Sequence, residues 1–435
     1  MKESPQFFEY SGAIHIHTTD SDGTWAHDKI IELGKNLNLD FLMFTDHNTL
    51  KSLDKEGKYG RLNAIIGYEI NDRDNKNHYL AFGLDHTLPE GLEAKQYIAG
   101  VKSKNGLGII AHPDEVREHP KYPSYPWTDW NVNGFDGIEI WNHMSAWMEN
   151  ATAGNMIKYF LNPRSSITTP TETILKKWDE LARKRKVLGI GAIDVHAIPY
   201  KVGPFKLTIF PYKVQLQSIR THILLREPLS QDFKESRKSI LNALRQCKAF
   251  FSNYRWGSAV GFRFWAESSS KTVMIGERID NDSRLNFHVE SPKAADIYLI
   301  HNGERVLHVH DKQATFRWTK PGVVRVELHI NGKGWIYSNH IYVMPGPKRK
   351  TYKTSSANNH EPVAKRPPRK KKPDSRNTLK PKPKSKGEKY KSDHKSQKDR
   401  SNYKSNQTDK TKQAQRVHKS SQKAAQKHKP PIKEQ

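Results

Sequence analysis

Short apolar runs alternate with amphipathic stretches from about residue 10 to residue 250. The runs lie at residues 13–17, 41–47, 63–70, 78–84, 107–113, 137–142, 187–196 and 221–225. Helix-like stretches lie between several of them, at residues 26–37, 94–105, 147–161, 171–186 and 232–247. Near-continuous apolar strands separated by helices predict parallel strands buried on both faces. Seven or eight such units favour a (β/α) barrel over an open sheet, so we predict an α/β domain over residues 1–250.

The pattern changes to short alternating strands after about residue 250. These strands are predicted at residues 284–290, 295–300, 305–310, 314–319, 323–330 and 334–343. Asn302-Gly303 and Asn331-Gly332 are hairpin signals, because both residue types tolerate positive φ. A segment of this length and pattern predicts a small all-β, immunoglobulin-like sandwich over residues 251–347.

Residues 348–435 carry most of the positive charge of the chain. The formal net charge is +27, and this segment contributes 29 basic and 7 acidic residues. It has almost no aliphatic residues to offset the entropy of ordering, so we predict a disordered Lys-rich tail. Such a tail would bind nucleic acid or another polyanion without sequence preference, through counterion release. A solubilising spacer is the alternative.

The cysteine content and the hydropathy of the chain bear on its expected cellular compartment. Cys247 is the only cysteine, which excludes an internal disulfide and a Cys-type zinc site. The N-terminal residues have no apolar stretch long enough for a signal peptide. No run of about 18 apolar residues predicts a membrane span. We therefore expect a cytoplasmic protein.

Nine ionisable residues recur within or just after the apolar runs. They are His15, His17, Asp22, His47, Glu69, His78, His112, Asp194 and His196. The C-terminal ends of parallel barrel strands meet on one face, so these side chains are expected to converge there. His15 and His17 alternate with apolar neighbours, which places both imidazoles on one face of a strand. Mixed imidazole and carboxylate ligands predict a cluster of zinc, manganese or iron more than calcium or magnesium.

The order of these motifs carries a family resemblance. HIHTTDSDGT, TDHN, GYEI, His78, AHP and IDVH follow one another between residues 15 and 196. Over about residues 10–225 the chain resembles the PHP (polymerase and histidinol phosphatase) family of metal-dependent hydrolases. The resemblance implies a distorted (β/α) barrel of seven or eight units. A barrel followed by a β-domain is similar to the PHP branch that includes carbaryl-type hydrolases.

The same resemblance implies a trinuclear site with three divalent ions. The first ion would be held by His15, His17, Glu69 and Asp194. Glu69 would bridge to a second ion held by His78 and His112, and the third would be held by Asp22, His47 and His196. Asp22 stands where some relatives have histidine, which bears on metal preference.

The charge of such a site favours an anionic substrate. Three divalent ions, three carboxylates and a bridging hydroxide would leave about two positive charges. Metal coordination lowers the pKa of bound water and gives a hydroxide nucleophile near neutral pH. We therefore expect a phosphoesterase that hydrolyses phosphomonoester or phosphodiester bonds. Its substrate would be a phosphorylated small molecule, a nucleotide or an oligonucleotide.

Two other functions remain open from the sequence. One is hydrolysis of a carbon ester or carbamate on the same metals. The other is a polyanion-binding scaffold with a vestigial barrel.

Six further residues are weaker candidates for the site. Arg164, Lys201 and Arg220 are candidate phosphate contacts, with ordinary surface roles as the alternative. Asp46, beside His47, is a candidate partner that fixes an imidazole tautomer. Glu139 and Asn142 end an apolar run and are expected to face the same rim, where Glu139 has a structural role as the alternative.

Overall fold

The computed structural model describes residues 6–117, 123–152, 154–202 and 205–346, with side chains at 200–202 and 205–207 excepted. The described residues belong to one compact unit. The predicted disordered tail at residues 348–435 lies outside them. Among the described helices, none has the length and apolar character that a membrane crossing requires.

Twenty strands and seven α-helices make up the described part of the chain. The strands are β1 (Phe8–Ile16), β2 (Phe41–His47), β3 (Gly57–Tyr59), β4 (Leu62–Ile70), β5 (Tyr79–Phe82), β6 (Leu107–Ile110), β7 (Gly137–Asn142), β8 (Leu188–Ala192), β9 (Pro199–Val202), β10 (Phe205–Thr208), β11 (Ile219–Leu225), β12 (Ala249–Asn253), β13 (Arg263–Glu267), β14 (Thr272–Met274), β15 (Arg278–Asp280), β16 (Asn286–His301), β17 (Glu304–Arg317), β18 (Gly322–Ile330), β19 (Lys333–Ser338) and β20 (Ile341–Met344). The helices are α1 (His27–Asn36), α2 (Ala94–Ser103), α3 (His143–Asn150), α4 (Met156–Leu161), α5 (Glu172–Ala182), α6 (Tyr212–Gln215) and α7 (Phe233–Arg245).

The N-terminal sheet is mixed, whereas the sequence predicted parallel strands. Parallel pairs join β1 to β2, β2 to β4, β6 to β7 and β7 to β8. Strand β5 lies antiparallel between β4 and β6. The link between β4 and β5 is too short for the crossover that a parallel pair needs. The prediction of an all-parallel sheet is therefore wrong at β5, and it is also wrong at β11, which pairs antiparallel with β1.

The sheet returns to its first strand after β8. The amide of Ile193 donates to Ile14 O over 3.1 Å, and the amide of His17 donates to Val195 O over 3.1 Å. These bonds bring the segment after β8 alongside the end of β1. Residues that follow β1, β2, β6 and β8 consequently lie near one another.

Helix α7 shows how the local sequence sets an element. Asp232 accepts a hydrogen bond from the amide of Glu235 at 3.0 Å, so a side chain caps the first turn. Ile240 and Leu244 are one turn apart and buried against the sheet. The observed helix lies within the predicted 232–247 range.

The predicted helix at 147–161 is wrong as a single element. The structure has two helices there, α3 and α4, with residues 151–155 between them. Asn142 starts α3 early, because its side chain accepts from the amide of Ser145 at 3.1 Å. Because of this early cap, the helical residues begin directly after β7 instead of at residue 147.

The two predicted hairpins of the C-terminal strands are confirmed. Asn302 and Gly303 have φ of 52° and 96° between β16 and β17. Asn331 and Gly332 have φ of 51° and 70° between β18 and β19. Positive φ at both residues matches the right-handed twist of the flanking strands.

The C-terminal region has longer strands, and more of them, than the sequence predicted. The runs 284–290 and 295–300 form one strand, β16, with an irregular pairing between Glu290 and Ala295. Strand β12 pairs with β11 on one side and with β19 on the other. The C-terminal strands therefore share backbone hydrogen bonds with the N-terminal sheet, and an immunoglobulin-like sandwich stays a prediction.

A buried ion network fastens α5 to the C-terminal strands. Arg325 donates to both oxygens of Asp179 at 2.8 Å and to Glu327 Oε1 at 2.7 Å. His340 Nε2 donates to Asp179 Oδ1 at 2.7 Å. Burial alone would raise the pKa of Asp179, but Arg325 and His340 outweigh it and lower that pKa to about 2. Each buried charge is thus compensated only while its partner is present.

Asp179→Asn should destabilise the fold strongly, because it leaves the Arg325 guanidinium buried without its carboxylate. We expect urea denaturation to show a loss of about 3–5 kcal/mol in the free energy of unfolding. The matched control is Glu180→Gln on the same helix, whose exposed ion pairs with Lys177 and Lys184 contribute at most about 1 kcal/mol. Because the folded pKa is depressed, the difference should persist above pH 4 and vanish as pH falls towards 2. Equal losses in both variants would contradict the network's role.

Candidate metal centre

All nine predicted ligands converge at one end of the N-terminal sheet. His15 lies in β1, His47 ends β2 and Glu69 lies in β4. The others lie in segments that follow or precede strands: His17, Asp22, His78, His112, Asp194 and His196. Donor atoms of these residues lie within 4.8 Å of one another in overlapping sets of three or four. Side chains separated by up to 181 positions in sequence thus form one cluster.

Glu69 lies at the centre of this cluster and is 1% exposed. Its two oxygens face different imidazoles. Oε1 lies 2.7 Å from His78 Nδ1 and 3.3 Å from His112 Nε2, whereas Oε2 lies 3.0 Å from His15 Nε2, 3.2 Å from His17 Nε2 and 3.6 Å from His47 Nδ1. A carboxylate with its oxygens divided in this way has the geometry of a bridging ligand.

Two other carboxylates complete the cluster. Asp194 Oδ1 lies 3.4 Å from the Nε2 atoms of both His15 and His17. Asp22 Oδ1 lies 3.2 Å from His196 Nε2 and 3.6 Å from His17 Nδ1. His17 therefore faces Glu69 and Asp194 with one nitrogen and Asp22 with the other. The overlap differs from the resemblance, which assigns His17 to one ion only.

Several imidazole nitrogens in the cluster are buried without a hydrogen bond. They are Nδ1 of His17, Nε2 of His78 and Nδ1 of His112. A buried polar atom without a partner carries a desolvation cost. A divalent cation relieves that cost, because it accepts the lone pair of a neutral imidazole. The donor set of imidazoles and carboxylates therefore fits transition-metal ions.

Three of the nine residues have strained backbone. The φ angles are 73° at His15, 23° at His112 and 52° at Asp194. Residues other than glycine rarely adopt positive φ, and each instance costs on the order of 1–3 kcal/mol. At His15 the β1–β2 register shifts, so a bulge turns this side chain rather than the regular alternation predicted. Strain at three convergent residues is typical of a functional site.

Glu139 and Asn142 support the cluster, as the sequence suggested. Glu139 Oε1 lies 2.6 Å from His15 Nδ1. Its Oε2 accepts from the His112 amide at 2.8 Å and from Asn142 Nδ2 at 2.9 Å. A carboxylate on Nδ1 fixes the ring orientation and leaves Nε2 of His15 directed at Glu69.

Asp46 holds the turn that carries Asp22. It accepts from the Thr18 amide at 2.7 Å, from Thr18 Oγ1 at 2.8 Å and from Ser21 Oγ at 2.6 Å. Adjacent strand residues point to opposite faces, so Asp46 is directed away from the ring of His47. The imidazole that it approaches is that of His27, whose Nε2 lies 3.6 Å from Asp46 Oδ2.

The predicted phosphate contacts lie away from the cluster where they are described. Arg164 Nη1 donates to Gln217 O at 3.1 Å. Arg220 is 8% exposed, donates to Leu216 O at 3.2 Å and lies over the Tyr254 ring at 4.2 Å. The side chain of Lys201 lies outside the described residues.

Sequence reasoning missed a pair of charged residues beside the cluster. Glu115 is 2% exposed, and its Oε2 lies 3.7 Å from His112 Nδ1. Arg117 donates to Glu115 Oε1 and lines the same cavity as the cluster. Their position in the sequence could have identified them, since both residues follow the AHP motif that ends an apolar run.

Carboxylates hold protons on two of the imidazoles. Burial by itself lowers the pKa of a histidine, but neighbouring carboxylates outweigh it here. Asp194 and Glu69 raise the pKa of His17 to about 9, and Glu115 and Glu69 raise that of His112 to about 10. His47 is governed by burial, which lowers its pKa to about 4. At neutral pH a metal ion must therefore displace protons from His17 and His112.

Comparisons with known proteins give distant similarities. No model of a known protein family matches the chain. The uncharacterised protein MJ1587 of Methanocaldococcus jannaschii is 28% identical over 117 residues, and the match covers 23% of this chain and 66% of that protein, just under two thirds of its length.

Two solved structures give further distant similarities. A two-domain protein from Bacteroides vulgatus, described as containing a predicted PHP-like metal-dependent phosphoesterase, has 13% identity and a TM-score of 0.38, covering 77% of this chain and 95% of that one. An amidohydrolase from Chromobacterium violaceum has 10% identity and a TM-score of 0.27, covering 42% and 87%. The function of this chain must therefore be argued from its own residues.

Glu139→Gln should weaken metal binding by about 10–100-fold, because a neutral amide orients the His15 ring less firmly. Competition against a chromophoric chelator would measure the affinity. Glu56→Gln is a matched control, since this partly buried carboxylate bonds Ile66 and Arg237 away from the cluster. Wild-type affinity in Glu139→Gln, or equal losses in both variants, would count against the assigned role.

Metal loading at pH 7 should release protons. The raised pKa values of His17 and His112 mean that their protonated forms persist until pH rises through about 9 and 10. Apparent metal affinity should therefore increase with pH up to that range. Calorimetric titration in buffers of different ionisation enthalpy would count the protons, and a heat that is independent of the buffer would show that none is released.

Proposed function

We propose that this chain is a PHP-type metal-dependent hydrolase of phosphoric esters. The observation that carries the proposal is the convergence of six imidazoles and three carboxylates around Glu69, with buried imidazole nitrogens that lack hydrogen bonds. We place the hydrolase in a distorted barrel over residues 1–250, followed by a β-sandwich over 251–347. The backbone bonds that return from residue 193 to β1 support a closed barrel.

Three divalent ions, zinc, manganese or iron, would be held by the nine side chains. Glu69 would bridge two of them, since its oxygens face separate imidazole sets. His17 would serve as a ligand through Nε2, the nitrogen that faces Glu69 and Asp194. When bound, the ions would supply Lewis acidity and a nucleophilic water near neutral pH. No Ser or Cys nucleophile is required.

The residues of the chain itself determine how this chemistry is arranged. Glu139 orients His15 through Nδ1 and holds the backbone of His112. Asp46 fixes the turn before Asp22. Burial of Glu69 and Asp194 keeps water from competing for the ligand atoms.

An excess of metal charge over ligand charge supports a phosphorylated substrate. Three carboxylates do not neutralise several divalent ions, and the remaining positive charge attracts an anion. Within this class, a phosphorylated small molecule fits the described cavity best. Binding of nucleic acid or another polyanion through residues 348–435 remains a separate prediction.

Hydrolysis of a carbon ester or carbamate is a second candidate. A water activated by bound metal would also serve for attack on a carbonyl carbon. The specific observation in its favour is a cavity beside the cluster whose lining includes Met144, Met148, Ile198, Ile209 and Phe210. A scaffold with a vestigial barrel is less well supported, since all nine candidate ligands are present.

His15→Ala should lose metal and hydrolase activity together, because it removes a donor that faces both Glu69 and Asp194. The assay compares p-nitrophenyl phosphate, bis-p-nitrophenyl phosphate and a naphthyl ester with protein loaded with manganese or zinc. His308→Ala, an exposed imidazole of β17, is the matched control and should keep both properties.

The outcomes separate the candidate functions. Turnover of the phosphate substrates supports the phosphoesterase, and turnover of the naphthyl ester alone supports the second candidate. Deletion of residues 348–435 should leave metal content and turnover intact. Full activity after complete chelation would contradict every metal-dependent mechanism.

A further inference from the structure

A cavity of about 400 Å³ opens directly beside the metal cluster. One side is formed by the candidate ligands, including Glu69, His78 and His196. Part of the remaining lining is apolar, and we call this part the apolar wall. It consists of Met144, Met148, Ile198, Ile209 and Phe210. A volume of this size lies in the range of small-molecule pockets.

The apolar wall is built into the fold. Phe210 is 2% exposed and has a φ of 56°, an unusual conformation for a bulky side chain. Its ring packs edge-on against Trp147 with centroids 4.8 Å apart. Backbone strain of this kind persists only where the surrounding packing holds it. The conformation of Phe210 is thus maintained by contacts with α3.

Helix α3 connects the apolar wall to the metal cluster. Met144 and Met148 are four residues apart, so both lie on one face of the helix. Asn142 caps the helix and also donates to Glu139, which holds His15. The position of the two methionines is therefore fixed relative to the candidate ligands.

Tyr125 adds an aromatic surface next to the cluster. Its ring stacks on His78 with centroids 4.7 Å apart and planes 19° apart. The Tyr125 amide donates to Glu115 Oε2 at 2.9 Å, which fixes this segment beside the site. A group bound between Tyr125 and the apolar wall would lie within reach of the cluster.

Few cationic side chains line the described part of the cavity. Among the described lining side chains, Arg117 is the cationic one other than histidine, and it donates to Glu115. This neutral pair does not favour a second phosphate or a nucleic-acid backbone. Arg164 and Arg220 bond elsewhere, as described above.

We infer that the cavity selects esters with a single polar head group at the metal cluster and a large apolar alkyl or aryl group against the apolar wall. The inference rests on the proposed function and narrows its substrate class. Nucleotides and oligonucleotides fit less well, because the described lining offers a second phosphate no cation other than histidine except Arg117, which already donates to Glu115. Burial of a polar group without partners carries a cost that an alkyl or aryl group avoids.

An affinity series of alkylphosphonates tests this selection without requiring turnover. Ethyl-, butyl-, hexyl- and octylphosphonate share one head group and differ only in apolar length. Their affinities for manganese-loaded protein are measured by calorimetry. We expect binding to tighten by about three- to fourfold per methylene until the cavity is filled, the value for full burial of each group.

Met148→Gln keeps the side-chain length but places an amide on the apolar wall, so the dependence on chain length should flatten. Met156→Gln is the matched control, since Met156 lies on α4 away from the cavity lining and is 43% exposed. The Met156→Gln variant should keep the wild-type dependence of affinity on chain length. Metal content and thermal melting of each variant confirm that it is folded and loaded.

Equal affinities for ethyl- and octylphosphonate, or weaker binding of the longer chains, would overturn the inference. The proposed function fails by a different result, namely no hydrolysis of any ester by the metal-loaded protein. A length-dependent series without turnover would keep the apolar site and remove the hydrolase. Turnover of ethyl phosphate, together with affinities that do not depend on alkyl chain length, would keep the hydrolase and remove the apolar site.

Discussion

The buried carboxylate of Glu69 and the imidazoles around it impose the main constraint on this structure. Five histidines place a ring nitrogen within 3.6 Å of its oxygens, in a place that water scarcely reaches. Imidazolium charges lower the pKa of Glu69 far below its ordinary value, although burial acts in the opposite direction. Ionised groups at this density are stable only when each charge is compensated. Divalent cations compensate the carboxylates while using the imidazole lone pairs.

Much of the surrounding fold can be understood as support for this cluster. The bulge and positive φ at His15 direct its ring inward, and Glu139 fixes the ring at Nδ1. Asp46 anchors the turn before Asp22. Farther away, Asp179 and Arg325 fasten α5 to β18 and hold the C-terminal strands against the sheet. The backbone strain at His15 thus occurs in a fold that is also held together by contacts far from the cluster.

The sequence was informative wherever a residue type has one strong physical requirement. Apolar runs located β2 and β7 to the residue, and the two Asn-Gly pairs located both hairpins. Ionisable residues at strand ends indicated which nine side chains would meet. These signals are local, so a single sequence contains them.

Other features depend on contacts that no local pattern records. Strand β5 is apolar like its neighbours, and only the short link from β4 makes it antiparallel. Asp46 and Asp22 look alike in sequence, yet Asp46 in β2 bonds Thr18 whereas Asp22, in the turn after β1, faces His196. Arg220 resembles an exposed anion-binding residue but is buried over Tyr254. The apolar wall combines two methionines of α3 with Ile198, Ile209 and Phe210, which are distant in the chain.

Anomalous X-ray diffraction from crystals of the metal-loaded protein, recorded at the manganese and zinc edges, tests the central claim most directly. The account predicts three strong peaks, each within coordination distance of atoms from the nine residues, with Glu69 shared between two of them. No peak in this cluster, or peaks bound only by other residues, would contradict it.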